Sequence, residues 1–208
     1  MDGVPTIIMK GLSKEVPWPG ARCGWIEVYN KESDAAFARY IKTIHDAKML
    51  EVCTTTLPQK VLPRIYSNPE YIYYLQSRRN AYRSRAEKAS PILNSIPGIS
   101  VIQSTGAFYL TVLFDENVLT QSQMLSIADQ RIAALLEEKV LKIPPNQLDK
   151  RFVYYLMASY GLCVVPLTGF NSSLYGFRMT LLEEDSDVFS NILSILSEAI
   201  PAYLNLQR

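Results

Sequence analysis

Apolar positions come along this chain in two kinds of run, and the contrast between them lays out its elements. Residues 5–9 and 24–29 are short stretches of nearly continuous apolar character, as in strands of a parallel sheet covered on both faces. After them the period lengthens. Phe37, Ile41 and Ile44 fall on one face of a helix that Ser33 can cap and that runs to about Leu50. A second helix is predicted from Leu57 to Tyr66, ending at Asn68-Pro69. From Pro69 a long helix extends to about Asn94, with Ile72, Leu75, Arg79, Tyr82, Ala86, Ala89 and Leu93 in one stripe. Its opposite surface carries Arg78, Arg83, Arg85 and Lys88, and reads as a solvated face more than as an anion site.

Past Pro97-Gly98 the pattern becomes that of strands. Ile99 to Gln103 and Ala107 to Leu113, joined through Ser104-Thr105-Gly106, predict an antiparallel pair. Residues 121–139 return to a helical period, and Ile143-Pro144-Pro145-Asn146 breaks it. Asp149 is read as the cap of a helix to Tyr160, which Gly161 ends. Leu162 to Pro166 and Gly176 to Leu182 are two further strands. Asp185 caps a last helix with Val188, Phe189, Ile192, Leu196, Ala199 and Tyr203 facing inward. The chain thus begins as α/β and ends as an α+β layer.

Composition narrows the function classes. The chain has 208 residues, 48% hydrophobic and 20% charged, with a net charge of +1, an ordinary globular balance. That charge gives no reason to expect nucleic acid or an anionic membrane as partner. No apolar run approaches the ~18 residues of a membrane span. The start, Met1-Asp2-Gly3-Val4-Pro5, lacks the features of a signal peptide. Cys23, Cys53 and Cys163 are odd in number and unpaired in spacing, so they read as free thiols of a reducing, cytoplasmic setting and not as a metal site. His45 is the sole histidine, which makes a histidine-based triad or metal centre improbable. Tyr66, Tyr71, Tyr73 and Tyr74 read as packing more than as a substrate pocket.

The candidate chemistry lies between the first two strands, in Gly11-Leu12-Ser13-Lys14 followed by Pro19-Gly20, Arg22 and Gly24-Trp25. A lysine held at the end of a buried strand loses hydration, which disfavours the ammonium and frees the amine as a nucleophile. An arginine eight residues later, after a Pro-Gly turn, offers a fork of donors suited to phosphate. This run resembles the active-site lysine segment of pyridoxal-phosphate enzymes of the aspartate/tyrosine/alanine aminotransferase family. The resemblance implies that Lys14 is the Schiff-base lysine, that Arg22 binds the cofactor's phosphate, and that Ser13 belongs to the same cofactor site. Gly11 stands where the family often has a phosphate-binding serine, a feature of its tyrosine/alanine-aminotransferase-like branch.

The similarity continues in Gly106-Ala107-Phe108-Tyr109, which looks like that family's entry into its small domain. Leu162-Cys163-Val164-Val165-Pro166 with Gly169-Phe170 looks like its V-V-P-G-x-x-F loop, with Leu167 where glycine is usual. Gly176-Phe177-Arg178-Met179 matches the segment whose arginine grips the substrate's α-carboxylate. An unpaired arginine in an apolar run is costly, so a carboxylate partner for Arg178 agrees with the physics.

The resemblance implies the C-terminal half of a fold type I transferase. Residues 1–55 would be a remnant of the large parallel-sheet catalytic domain, 56–95 connecting helices, and 96–208 a small α+β domain able to fold alone. It implies transfer of an amino group between an α-amino acid and a 2-oxo acid, pyridoxal 5'-phosphate as cofactor, no metal, and a homo-oligomer. Two alternatives stay open. One is a C–S lyase or cyclopropane-forming synthase of the same fold; the other is a catalytically silent half-protein acting as an assembly partner. The family's first half supplies the partner of the pyridine nitrogen, the ring stacked on the cofactor and a helix N-terminus at the phosphate. These 208 residues are accordingly expected to be a truncated portion, inactive alone.

Overall fold

The computed structural model describes residues 3–52, 54–102 and 104–205. Cys53, Gln103, Met1 and Asp2, on which expectations above fall, lie outside the described residues. The chain divides into two units, Met1–Tyr74 and Leu75–Arg208.

In the first unit, β1 (Thr6–Gly11) leads into a one-turn helix, α1 (Leu12–Glu15), a 3-10 turn at Pro19–Ala21, and β2 (Gly24–Tyr29). The two strands pair antiparallel from Thr6↔Tyr29 to Gly11↔Gly24. This corrects the parallel arrangement expected for residues 5–9 and 24–29. A parallel return needs a crossover, usually a full helix, and the twelve-residue connection Leu12 to Cys23 holds only four α-helical residues. No residue of either strand is fully buried, and Met9 is 80% exposed.

Helices α2 (Ala35–Lys48) and α3 (Thr56–Tyr66) complete the unit. Asp34, not Ser33, caps α2: its Oδ1 accepts the Phe37 N–H at 2.7 Å. The Ser33 hydroxyl instead donates to the Asn30 carbonyl within the preceding 3-10 turn. On α2 the expected face holds, with Ile41 buried and Phe37 and Ile44 half-buried.

Helix α4 (Tyr71–Asn94) carries the division between units in its first turn. Along it Ala89 and Leu93 are buried and Tyr82 and Ala86 half-buried, whereas Ile72 and Arg79 of the expected stripe are exposed. The basic surface is also not uniformly solvated. Arg85 is half-buried and donates from Nη1 to the Leu181 carbonyl at 2.7 Å, and Arg78 lies over the Tyr82 ring and bonds its hydroxyl.

The rest of the second unit is β3 (Ile99–Ile102), β4 (Tyr109–Phe114), α5 (Gln130–Val140), α6 (Leu148–Tyr160), β5 (Val165–Pro166), a 3-10 turn at Leu167–Phe170, β6 (Gly176–Thr180) and α7 (Ser186–Tyr203). Its sheet has the order β3-β4-β6-β5 with every pairing antiparallel. The β6 strand is interior, and Arg178 on it is flanked by Thr111 and Val165. Period-two alternation puts Leu110, Val112, Phe177 and Met179 on the buried face. There Phe152 meets Phe114 and Tyr203, each at 5.1 Å between ring centroids and steeply inclined. Leu93, Leu156, Leu193, Leu196 and Ile200 fill the remaining space. Tyr109, Thr111, Arg178 and Thr180 are left on the other face.

Several details differ from the sequence pattern; the strand expected from Leu162 to Pro166, for one, is only Val165–Pro166. The helix expected at 121–139 begins only at Gln130, because the buried Gln123 amide ties the chain into a loop first. Its Oε1 accepts from Thr120 N and its Nε2 donates to the Val118 carbonyl, both at 2.7 Å, and Asp129 then caps α5. Asp149 does not cap α6, where Gln147 holds the cap position; its side chain turns inward, wholly buried. On α7 Asp185 caps as expected, but Val188 is 47% exposed while Leu193 and Ile200 join the core.

Two glycines are required where they stand. Gly98, at φ +84°, turns the chain from α4 into β3. Gly176 lies so close to β4 that a Cβ would come 2.3 Å from the Val112 carbonyl oxygen and 2.8 Å from Leu167 Cδ1. Gly176→Ala is therefore expected to lower the stability of the second unit by roughly 3 kcal/mol, since strand and turn must part to admit a methyl. Urea denaturation followed by circular dichroism measures it; an unchanged midpoint would refute the contact.

Candidate active site

Lys14, Ser13 and Arg22 share one loop of the first unit. Its ends are clasped by the Gly11↔Gly24 pair and by the Leu12 N–H donating to the Cys23 carbonyl at 3.1 Å. Leu12 is wholly buried and its carbonyl accepts from Trp18 N at 3.0 Å. Ser13 is half-buried, and Lys14 is exposed. This corrects the expectation of a dehydrated lysine at a strand end. The strand has already given way to α1, and two residues along a helix turn the side chain about 200° from Leu12, away from the buried side.

Arg22 is exposed and left-handed, φ 47° and ψ 42°, with its N–H donating to the Pro19 carbonyl. For a residue with a Cβ that conformation costs on the order of 1 kcal/mol. Buried Ala21 before it and the strand-end glycine Gly24 after it leave the chain little choice. Strain of this kind gathers where a side chain must be presented to a ligand.

Beneath the loop runs a chain of polar and aromatic groups. The Tyr71 hydroxyl donates to Glu15 Oε1 at 3.3 Å, and the Tyr66 ring lies edge-on to Tyr71 and Trp25. Burial raises the Tyr66 pKa above the ordinary tyrosine value, and the nearby Glu15 carboxylate raises it further. A cavity of about 310 Å³ is lined by Lys10, Trp25, Glu27, Leu62, Pro63 and Tyr66. Glu27 pairs with Lys10 at 3.3 Å and accepts from Tyr29 and Trp25. Those two hydrogen bonds, then the lysine, hold its carboxyl below the usual value.

Arg178 belongs to the second unit, half-buried on the face of β6 away from the core. Its Cζ lies 4.1 Å from the Tyr109 ring centroid and 4.2 Å from that of Phe170. Two ring faces thus hold the guanidinium, and the donors in its plane point past them. Among the described residues no acidic side chain pairs with it. The 3-10 turn that carries Phe170 also settles Leu167: it keeps a backbone conformation open to any residue, and its side chain covers Gly176. In the sequence Tyr109 and Phe170 stand out only as parts of motifs. The alternation of β4 could have placed Tyr109 on the arginine's face; nothing local signalled Phe170.

Other chemistry is sparse. Among the described residues no group of His, Cys, Asp and Glu could hold a metal, and no helix is long and apolar enough to cross a membrane. Cys23 and Cys163 are free thiols and His45 is exposed. A cavity of about 410 Å³ beside Cys163, Glu183 and Glu184 does not include Arg178.

The pattern shared by the family "Aminotransferase class I and II" matches residues 1–186. An uncharacterized aminotransferase of Methanocaldococcus jannaschii is 44% identical over 204 residues, 98% of this chain and 46% of its own length. The aspartate aminotransferase of a Bacillus species is 30% identical over 142 residues, 68% of this chain and 33% of its own. Among solved structures, the alanine aminotransferase of Pyrococcus furiosus superposes over the whole chain, 44% of its own, with a TM-score of 0.72 and 21% identity. An Escherichia coli aminotransferase does so over 98% of the chain and 44% of its own, with a TM-score of 0.68 and 20% identity. The chain therefore belongs to the class I and II aminotransferase family and has its fold type I architecture. It spans less than half the length of the curated relatives it matches. Members of this family depend on pyridoxal phosphate.

The Tyr66 environment gives a pH dependence. A raised pKa means that the folded state binds the phenolic proton more tightly than the unfolded chain does. Its contribution is complete below the unfolded tyrosine value of about 10 and is lost as pH climbs through the higher folded value. Stability of the first unit, followed by Trp25 fluorescence in urea, is expected to fall with pH on the alkaline side, and less steeply in Tyr66→Phe. Identical slopes would remove the assignment.

Proposed function

We propose that this class I and II aminotransferase chain supplies the cofactor lysine and the carboxylate-binding arginine of an enzyme that moves an amino group between an α-amino acid and a 2-oxo acid. The observation that carries the reading is Arg178 between Tyr109 and Phe170. With both rings against it, the guanidinium has its planar N–H edge to offer, and a carboxylate is the group that matches such an edge bidentately.

The donor set of the first unit suits pyridoxal phosphate. An exposed amine, an exposed guanidinium and a hydroxyl stand on one clasped loop, which is what an aldehyde and a phosphate on one small molecule require. Lys14 would hold the cofactor covalently through Nζ, with Arg22 and Ser13 at its phosphate. When bound, the cofactor supplies the electron sink that makes a substrate Cα–H acidic. Lys14 Nζ would be the base and acid that takes up and returns the proton at that carbon. Arg178 fixes the α-carboxylate and with it the direction of the Cα–H bond.

In domain terms, residues 1–55 contribute to the catalytic domain, 56–95 connect, and 96–208 form the small domain. The working enzyme is a cytoplasmic homo-oligomer. The 208 residues alone lack turnover, because the groups that would cover the cofactor's ring are not among them.

Four outcomes check this. In an enzyme that includes the rest of the family's fold, Lys14→Ala abolishes both the cofactor's lysine-linked absorbance and the half-reaction; survival of either removes Lys14 from the role. Arg22→Ala weakens cofactor retention by roughly ten- to a hundredfold, the worth of charge-assisted hydrogen bonds to a phosphate. Arg178→Lys raises KM for amino acid and 2-oxo acid alike. Recovery of a 2-oxo acid with aminated cofactor, and not pyruvate with ammonia, distinguishes transfer from lyase chemistry.

A further inference from the structure

We propose that Asp149 is a positioning residue for the carboxylate site: through the 3-10 turn Leu167–Phe170 it holds the Phe170 ring against Arg178. This rests on the reading of Arg178 as the carboxylate-binding group. Asp149 is wholly buried, and among the described residues no cationic side chain pairs with it. Its charge is met entirely by donors. Oδ1 accepts from the Thr168 hydroxyl at 2.6 Å and from Lys150 N at 2.8 Å. Oδ2 accepts from Thr168 N at 2.9 Å and from Gly176 N at 3.5 Å.

The arrangement of these donors matters more than their number. Lys150 N belongs to the first turn of α6, Thr168 to the turn, and Gly176 to the start of β6 two residues before Arg178. One carboxylate thus ties together a helix end, the turn that bears Phe170 and the strand that bears Arg178. Leu167 Cδ1 against Gly176 presses the same turn onto the same strand. Phe170 is 48% exposed and is not part of the buried core, so packing holds it weakly. Buried carboxylates are costly unless their acceptors are filled. A turn that leaves Asp149 strips two donors from it, and that penalty keeps the turn closed.

The test uses the 208-residue chain, nitrogen-15 labelled, with acetate as the probe. Ring faces over Arg178 shift its side-chain Nε–H and δ-proton signals upfield, and Arg178→Lys identifies the signals by their loss. In Asp149→Ala the upfield shift is expected to lose the part that Phe170 contributes, roughly half, while that of Tyr109 remains, and acetate affinity to weaken roughly tenfold, as a mispositioned binding group would give. A folded Asp149→Ala that keeps the wild-type shift overturns the proposal, because a purely structural role would lower stability without moving the ring. If Asp149→Ala does not fold, Thr168→Ala is read in its place. It deletes one of the clasp's bonds from a half-buried turn, and an unmoved Arg178 shift there overturns the proposal equally. The two readings fail differently. Unaltered acetate affinity in Arg178→Lys would end the carboxylate-site reading, whereas loss of the ring shift in Asp149→Ala would still uphold the clasp.

Discussion

The arrangement of the second unit depends on the obligation to satisfy one charge that cannot be switched off. Arginine stays protonated throughout the pH range of biology, so Arg178 on an interior strand cannot relieve its desolvation by losing a proton. The fold answers with polarizable surface, Tyr109 on the neighbouring strand and Phe170 on a turn folded back over the sheet. Aromatic faces lower the cost of the charge without competing for its hydrogen bonds. A carboxylate from the chain itself would have met the charge better and closed the site. Among the described residues no acidic side chain covers this face, so strand order and turn together leave the guanidinium's in-plane donors uncovered.

A second charge, of opposite sign, sits a short way along the same scaffold under the opposite regime. Asp149 has its acceptors filled by backbone and hydroxyl donors, so it contributes order instead of a binding site. Buried ionic groups add little to stability in general, and their better-attested use is to specify one arrangement over others. Here the arrangement is that of a turn whose own apolar contacts are few.

Much of this was legible in the sequence, and the errors share a cause. The helices over 56–66 and 71–94, the β3–β4 pair and the Asp185 cap follow from period and capping chemistry, which act within a few residues. The lysine segment and Arg178 stand out by motif, inside the span that the family pattern matches. What failed was decided by partners far along the chain. Asp149 has the position of a helix cap, and only Thr168, nineteen residues on, reveals that it turns inward. Residues 121–129 keep a helical period, but the Gln123 amide competes for the backbone there. An apolar run cannot state its pairing direction, so β1 and β2 read as parallel until the short connection between them is weighed. The exposure of Lys14 escaped for a smaller reason, the point at which strand becomes helix.

The clasped hairpin tip has a consequence for how such a protein can change. Its amine and its guanidinium stand on a run of a dozen consecutive residues whose ends meet at two glycines. A feature built from neighbours tolerates heavy drift in everything around it, as long as nothing is inserted or deleted inside. The tip can thus persist as a portable cassette, keeping its own geometry while its surroundings change.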